Sequence, residues 1–333
     1  MIGKSNIKIS TFSVYVIVLS KVFWSISLIA NVPKSNNNPG ARWGHVFIYD
    51  PVRDEVLLFG GSLNRGGPYL NDTWTWDGKS WQRHDVTSPP ARGFAAATFH
   101  PIKGTIILHG GRGDDRKTYS DTWAWDGSAW HELEATGPFQ SDHHQMVYVA
   151  HDTVILAFGG WNWHAQDVSG DTWIWNGEWI KASIPGPRKR GAFAMAYDGQ
   201  EKRIVVFGGL WLDGQYADLW QWHGRSWKQI GGPYDNSSVD HHAMVYDSKR
   251  HQIIIFGGKN YRYRPLNNTM ILRENKIHLI TSEGPRPRHS LGLTFNSKLG
   301  LVLLYGGKEY LNDDQGALGD FWFWDGGKWQ EIQ

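Results

Sequence analysis

Gly-Gly pairs close apolar runs at 60/61, 110/111, 159/160, 208/209, 257/258 and 306/307, so successive pairs stand 50, 49, 49, 49 and 49 residues apart. A period of this length means one supersecondary unit stacked on copies of itself rather than a set of independent domains. The first copy shows the plan: Arg42-Trp43-Gly44-His45-Val46-Phe47-Ile48-Tyr49-Asp50, a turn across 51–54, then Val56-Leu57-Leu58-Phe59-Gly60-Gly61. After a loop of variable length comes Asp72-Thr73-Trp74-Thr75-Trp76-Asp77-Gly78, whose Asp-Gly is a hairpin signal, and Trp81 opens a further strand. Each unit therefore reads as a four-stranded antiparallel meander.

The later copies repeat the third and fourth strands at 121–127 with Trp130, 171–177 with Trp179, 218–224 with Trp227, and 320–326 with Trp329. The fifth copy keeps the spacing but carries Met270, Leu272 and Ile277 where the others have Trp. With 39 Gly, 20 Trp, 13 Tyr and 14 Phe, the chain is rich in turn formers and in side chains suited to pleated, half-buried surfaces. The fold expected is all-β, a six-bladed β-propeller over 42–333. The regularly placed tryptophans are read as packing between blades, because a lone four-stranded sheet must cover its faces against neighbours. The Asp residues opening strand three, Asp72, Asp121, Asp171, Asp218 and Asp320, recur once per blade and are read as structural acceptors of backbone N–H groups.

The Gly-Gly pair after strand two, an aromatic with an Asp in strand three and a Trp in strand four together resemble the kelch family. That resemblance implies a propeller scaffold used by adaptors, by secreted binders and by a few enzymes. One such enzyme, the copper-dependent galactose oxidase, depends on a cysteine cross-linked to a tyrosine, and this chain has no cysteine. Another, sialic acid mutarotase, is an exported six-bladed kelch protein acting on an acidic sugar near the channel mouth.

Residues 1–30 are short and basic, then apolar from 9 onward apart from Lys21, which predicts a signal peptide or a signal anchor, with 31–41 as a linker. The expected setting is secreted or periplasmic, with membrane association only if that stretch remains as an anchor. The net charge is +2, and Lys4, Lys8 and Lys21 lie in that stretch, so the repeats are close to neutral and carry no nucleic-acid footprint. No cofactor is predicted, and the partner expected is a carbohydrate or another exported protein. The leading functional expectation is a binding scaffold; the alternative is a mutarotase or epimerase for an acidic sugar.

In a meander blade the entrance to strand one and the loop between strands two and three share a face. These loops vary, whereas the Asp-Gly turns opposite are uniform, so binding is expected on the loop face. The loops carry Trp161, Trp163, Trp211, Tyr261 and Tyr263, aromatics suited to sugar rings or peptide side chains. Aligning on the Gly-Gly pairs places Arg42, Arg92, Arg190 and Arg288 at one position, the start of the innermost strand. Two readings stand: a cluster holding a ligand carboxylate at the channel mouth, or inter-blade salt bridges to the strand-three Asp. The two units without that Arg carry Asp142-His143-His144 and Asp240-His241-His242. His143 and His241 are candidates for ligand contact or acid-base chemistry. His144 and His242 align with His45, and those three are read chiefly as buried between blades, with a three-His metal site as the minor reading.

Overall fold

The computed structural model describes residues 38–332 apart from 64–66, 136, 138–139, 164, 233–238 and 310–315. The proposed signal or anchor segment, and 31–37 of the linker, lie outside the described residues. Six four-stranded antiparallel sheets follow one another in chain order. The first comprises Val46–Asp50, Glu55–Phe59, Thr73–Trp76 and Trp81–His84, paired in sequence order from inside out. Two short hairpins are added, Trp161–Asn162 with Asp167–Val168 and Leu210–Trp211 with Gly214–Gln215. They stand in the loops between strands two and three of blades 3 and 4.

Burial follows from the meander. Strand two of each blade is nearly inaccessible along its length, for instance Val56, Leu57, Leu58 and Phe59 at 0–1% exposed, because both faces of the sheet are covered by neighbouring blades. Six apolar clusters result, one at each blade interface. The cluster joining blade 6 to blade 1 is built like the rest, with Phe47, Trp74 and Trp76 against Tyr305, Phe321 and Phe323. Among the described residues blade 1 supplies all four of its own strands and so does blade 6, and backbone hydrogen bonds of Arg42 with Leu318 and Gly307 join the two across the seam.

Polar contacts repeat around the same ring. The strand-four indole N–H of Trp130, Trp179, Trp227 and Trp329 donates to the hydroxyl of Thr73, Thr122, Thr172 and Thr269 respectively, each at the start of strand three in the preceding blade, at 2.8–3.0 Å. The decayed fifth copy fits this rule. Where blade 5 offers Ile277 in place of the indole, blade 4 offers Leu219 in place of the Thr, and both pack in one cluster. Replacing Trp329 by Phe should leave the buried Thr269 hydroxyl without this donor and lower stability by about 1–3 kcal/mol. The midpoint of urea unfolding reads this directly, and an unchanged midpoint would contradict it.

The Gly-Gly pairs are required by the fit between blades. Gly208 has φ +65°, and a Cβ there would meet the Val239 carbonyl oxygen of the next blade at 2.4 Å and the His242 ring at 2.9 Å. Only glycine combines that conformation with that approach.

Candidate functional site

The structure places Arg42, Arg92, Arg190 and Arg288 in ion pairs, with side chains 0–2% exposed. Each guanidinium grips the Asp that opens strand three, Asp72, Asp121, Asp218 or Asp320, through two hydrogen bonds of 2.6–2.8 Å, and donates a further bond to the first Gly carbonyl of its own pair. The pair therefore lies inside a blade, not between blades, and leaves none of the four on the cavity described below. The Asp also accepts from the strand-three indole two residues on, as Asp218 does from Trp220 at 2.7 Å, rather than chiefly from backbone N–H groups. Blade 3, with Ser141 in place of Arg, turns Asp171 outward to an exposed Lys181 at 2.8 Å. Blade 5, with Val239, has Asn268 in place of the Asp.

Two positions beyond each of these residues the backbone turns left-handed, with φ between 52° and 65° at Gly44, Phe94, His143, Ala192, His241 and Ser290. Their amides form a closed belt. Phe94 N–H donates to the Gly44 carbonyl, His143 to Phe94, Ala192 to His143, His241 to Ala192, Ser290 to His241 and Gly44 to Ser290, at 2.6–3.1 Å. Left-handed backbone at Phe and His costs about 1–2 kcal/mol apiece, and such strain gathers where function needs a side chain held in place. Phe94, His143 and His241 all line the cavity at the mouth of the channel.

That cavity has a volume of about 390 Å³. Besides the belt residues it is lined by the residue just before the belt, Trp43 or His289, and by the residue just after a Gly-Gly pair, Arg112, Trp161, Lys259 or Lys308. The two sets are tied by isolated β-bridges, including Asp142 to Trp161, Asp240 to Lys259 and His289 to Lys308. Tyr69, Arg116 and Trp163 complete the wall from the variable loops.

Blades 3 and 5 contribute matched Asp–His pairs. His143 Nδ1 donates to the wholly buried Asp142 at 2.8 Å, and His241 Nδ1 to the wholly buried Asp240. Asp142 also accepts from the Trp163 indole at 2.7 Å and sits 3.4 Å from Arg112; Asp240 sits 3.2 Å from Lys259 and accepts from Gln215. The two imidazoles are 5.0 Å apart, ring centre to ring centre, and Phe94 stacks on His143 at 4.1 Å. Burial, only partly offset by the carboxylate of Asp142 or Asp240, holds both imidazoles below their ordinary pKa and therefore neutral at pH 7. Burial would raise the Asp142 and Asp240 carboxyls, but the His partners and neighbouring cations outweigh it and keep both ionised. With Nδ1–H committed to a carboxylate, Nε2 is the nitrogen left to accept from a ligand.

Electrostatically the mouth carries four cationic side chains, Arg112, Arg116, Lys259 and Lys308, against the two carboxylates. Several are laid on aromatic rings: Arg112 lies 4.9 Å from Trp163 and Lys308 5.0 Å from Trp43.

Of the loop aromatics, Trp161 and Trp163 line the mouth, and Trp211 lines an adjoining cleft. Tyr261 and Tyr263 stand 50% and 52% exposed and line neither. His45, His144 and His242 do not converge; each packs in a different blade interface, against Tyr305, His109 and Phe207 respectively. Among the described residues no group of three or more His, Asp or Glu is arranged to hold a metal.

The profile of the KLHDC2/KLHL20/DRC7 kelch-repeats domain matches this sequence over residues 3–176 and 52–232. The chain belongs to the kelch-repeat family. The kelch propeller also matches a solved structure described as the structure of YjhT, with a TM-score of 0.70 and 13% identity over 89% of this chain and 98% of that one. At that identity the likeness is one of fold. No curated protein matches the sequence. Kelch propellers serve as interaction scaffolds, and the loop face of this one carries Arg112, Lys259 and Lys308, which reading the sequence for loop aromatics and strand-one arginines passed over. Their signal is positional. In all six blades the residue after the Gly-Gly pair reaches the mouth side, and in three it is cationic.

Proposed function

We propose that this kelch propeller binds an acidic carbohydrate at the mouth of its central channel, on the face made by the variable loops. The observation that carries the reading is the meeting, in one cavity of about 390 Å³, of cations, aromatic faces and neutral imidazole acceptors. Arg112, Arg116, Lys259 and Lys308 suit a carboxylate. Trp43, Trp161 and Trp163 offer apolar indole surface for the C–H faces of a sugar ring. His143 and His241, held as lone-pair acceptors by their buried carboxylates, suit ligand hydroxyl donors. A simple carboxylic acid would leave the two acceptors unused. The basic and apolar amino-terminal stretch supports an exported setting for this binding.

An array of neutral and acidic glycans is the direct test. Selective retention of acidic sugars is expected, weakened by salt. Lys308→Met and Arg116→Ala, checked for unchanged thermal unfolding, should each weaken retention about ten- to a hundred-fold, the worth of a charge-assisted hydrogen bond. Silence on the array, together with capture of a defined protein partner by the same face, would overturn the carbohydrate reading and leave the scaffold reading.

A second reading rests on the Asp142–His143 and Asp240–His241 pairs. A neutral imidazole whose Nδ1 is anchored by a buried carboxylate is equipped to take a proton from a substrate hydroxyl, the first step of sugar ring opening. Anomer exchange of a bound acidic sugar, followed by NMR, should slow in His143→Gln and His241→Gln if this chemistry operates; equal rates would remove it.

A further inference from the structure

The two added hairpins enclose a second cavity that the mouth reading does not use. It lies between Trp161–Asn162/Asp167–Val168 of blade 3 and Leu210–Trp211/Gly214–Gln215 of blade 4, and its volume of about 690 Å³ exceeds that of the mouth. Trp161, Trp163 and Arg116 line both cavities, so the two adjoin across these side chains. The far wall is Trp211 with Leu210 and Leu212, and Asn162, Gln166 and Asp167 supply a polar rim. Leu212, at the tip of its hairpin, is 85% exposed. Blades 3 and 4 alone carry such hairpins among the described residues, and residues of both line this one cleft.

From this adjacency we infer that the cleft is a second sugar subsite, and that the ligand is the acidic end of an oligosaccharide rather than a single sugar. The inference rests on the acidic-carbohydrate reading of the mouth. The acidic terminal residue sits over the belt among Lys259, Lys308 and Arg112. The chain then runs outward across Trp161 and Trp163, and the next residue lies against Trp211. The chemistry changes along this path in the way such a ligand requires. Cations concentrate at the mouth, whereas the cleft has indole and leucine walls with Arg116 only where the two cavities meet. A neutral ring with an apolar face and hydroxyl edges fits indole walls with an amide and carboxylate rim.

Calorimetric titration of the full chain with glucuronic acid, and with a disaccharide in which glucuronic acid is joined to a neutral sugar, tests this. The disaccharide should bind at least ten-fold more tightly. Trp211→Ala should bring it down to the level of the monosaccharide while leaving the monosaccharide unchanged, since Trp211 does not line the mouth. Leu212→Asp, at a position too exposed to affect folding, should weaken the disaccharide selectively. Equal affinity for the two sugars, or an equal loss for both in Trp211→Ala, would overturn the subsite and leave the mouth intact. Failure of both sugars to bind would overturn the mouth reading and the subsite with it. Preference of the cleft for a peptide with an apolar side chain over the disaccharide would also overturn it.

Discussion

Taking the purified protein from pH 7 to pH 5 should lower its stability by several kcal/mol, well before its carboxylates titrate. His45, His144 and His242 are buried between blades; neither ring nitrogen of His45 or His144 has a hydrogen-bond partner, and the hydrogen bond of His242 to the Phe207 backbone offsets burial only in part. Burial takes His45 from 6.5 to about 3, and His144 and His242 to about 4. In the unfolded chain each would titrate at the ordinary value. Below pH 6.5 the unfolded state therefore binds protons that the folded state refuses, and stability present above that pH drains as the pH falls towards the folded values. Each such histidine contributes a slope of about 1.4 kcal/mol per pH unit in that window. Other blades place Ala95, Phe193 and Leu291 at the equivalent position. His242→Phe should accordingly flatten the dependence by about one proton, read from urea midpoints between pH 7 and 5. An unaltered slope in that variant would assign the acid sensitivity elsewhere.

Breaking one of the intra-blade ion pairs should cost nearly as much in a single step. Arg190→Met leaves Asp218 buried with only the Trp220 indole and nearby backbone for company, and removal of one partner from a buried pair costs about 3–5 kcal/mol. For a chain of this size that corresponds to a fall of roughly 4–8 °C in Tm. The double variant Arg190→Met with Asp218→Leu should recover much of the loss, because the stranded charge is gone. Lys181→Ala, which breaks the exposed counterpart in blade 3, should cost no more than about 1 kcal/mol. If the Arg190 variant also melted within a degree of the parent, the ion pairs would carry no structural weight and the guanidinium would be open to a ligand role again. Burial tends to raise the Asp72, Asp218 and Asp320 carboxyls, but Arg42, Arg190 and Arg288 hold them below the ordinary 3.8. The stability from these pairs is thus complete above that value and lost only below it, in a lower window than the histidine effect.

Why the blades were legible while the site was not comes down to what repeats. A strand buried on both faces must be apolar in every blade, and a glycine pressed against the next blade must be glycine in every blade, so six copies print the architecture six times. The arginines repeat for the same reason: they are parts of the scaffold, and recurrence at four of six positions marks them as such. A ligand, by contrast, is recognised by departures from the repeat. His143 and His241 showed as departures because the Asp-His-His triplet occurs twice. Arg112, Lys259 and Lys308 did not, since each follows a Gly-Gly pair that is repeat punctuation, and only their bridges to Gly93, Asp240 and His289, beside the belt, reveal that they share a rim. The hairpins of blades 3 and 4 were hidden in loops of variable length, where Trp161, Trp163 and Trp211 could be seen but not their grouping. Tyr261 and Tyr263 looked the same in the sequence and stand apart from the site.

The belt of six left-handed residues runs unbroken through all six blades. Because every blade both gives and takes one amide bond in it, and because the seam between blades 6 and 1 is packed as the others are, no blade is first or last in the folded molecule. Each four-stranded sheet is built from one continuous stretch of the described chain, so no sheet is shared between distant segments. Any of the six seams is therefore an equivalent place for the ends, and a circularly permuted gene with its new start before another arginine position encodes the same cup of loops, with the same rim, from a different reading of the circle.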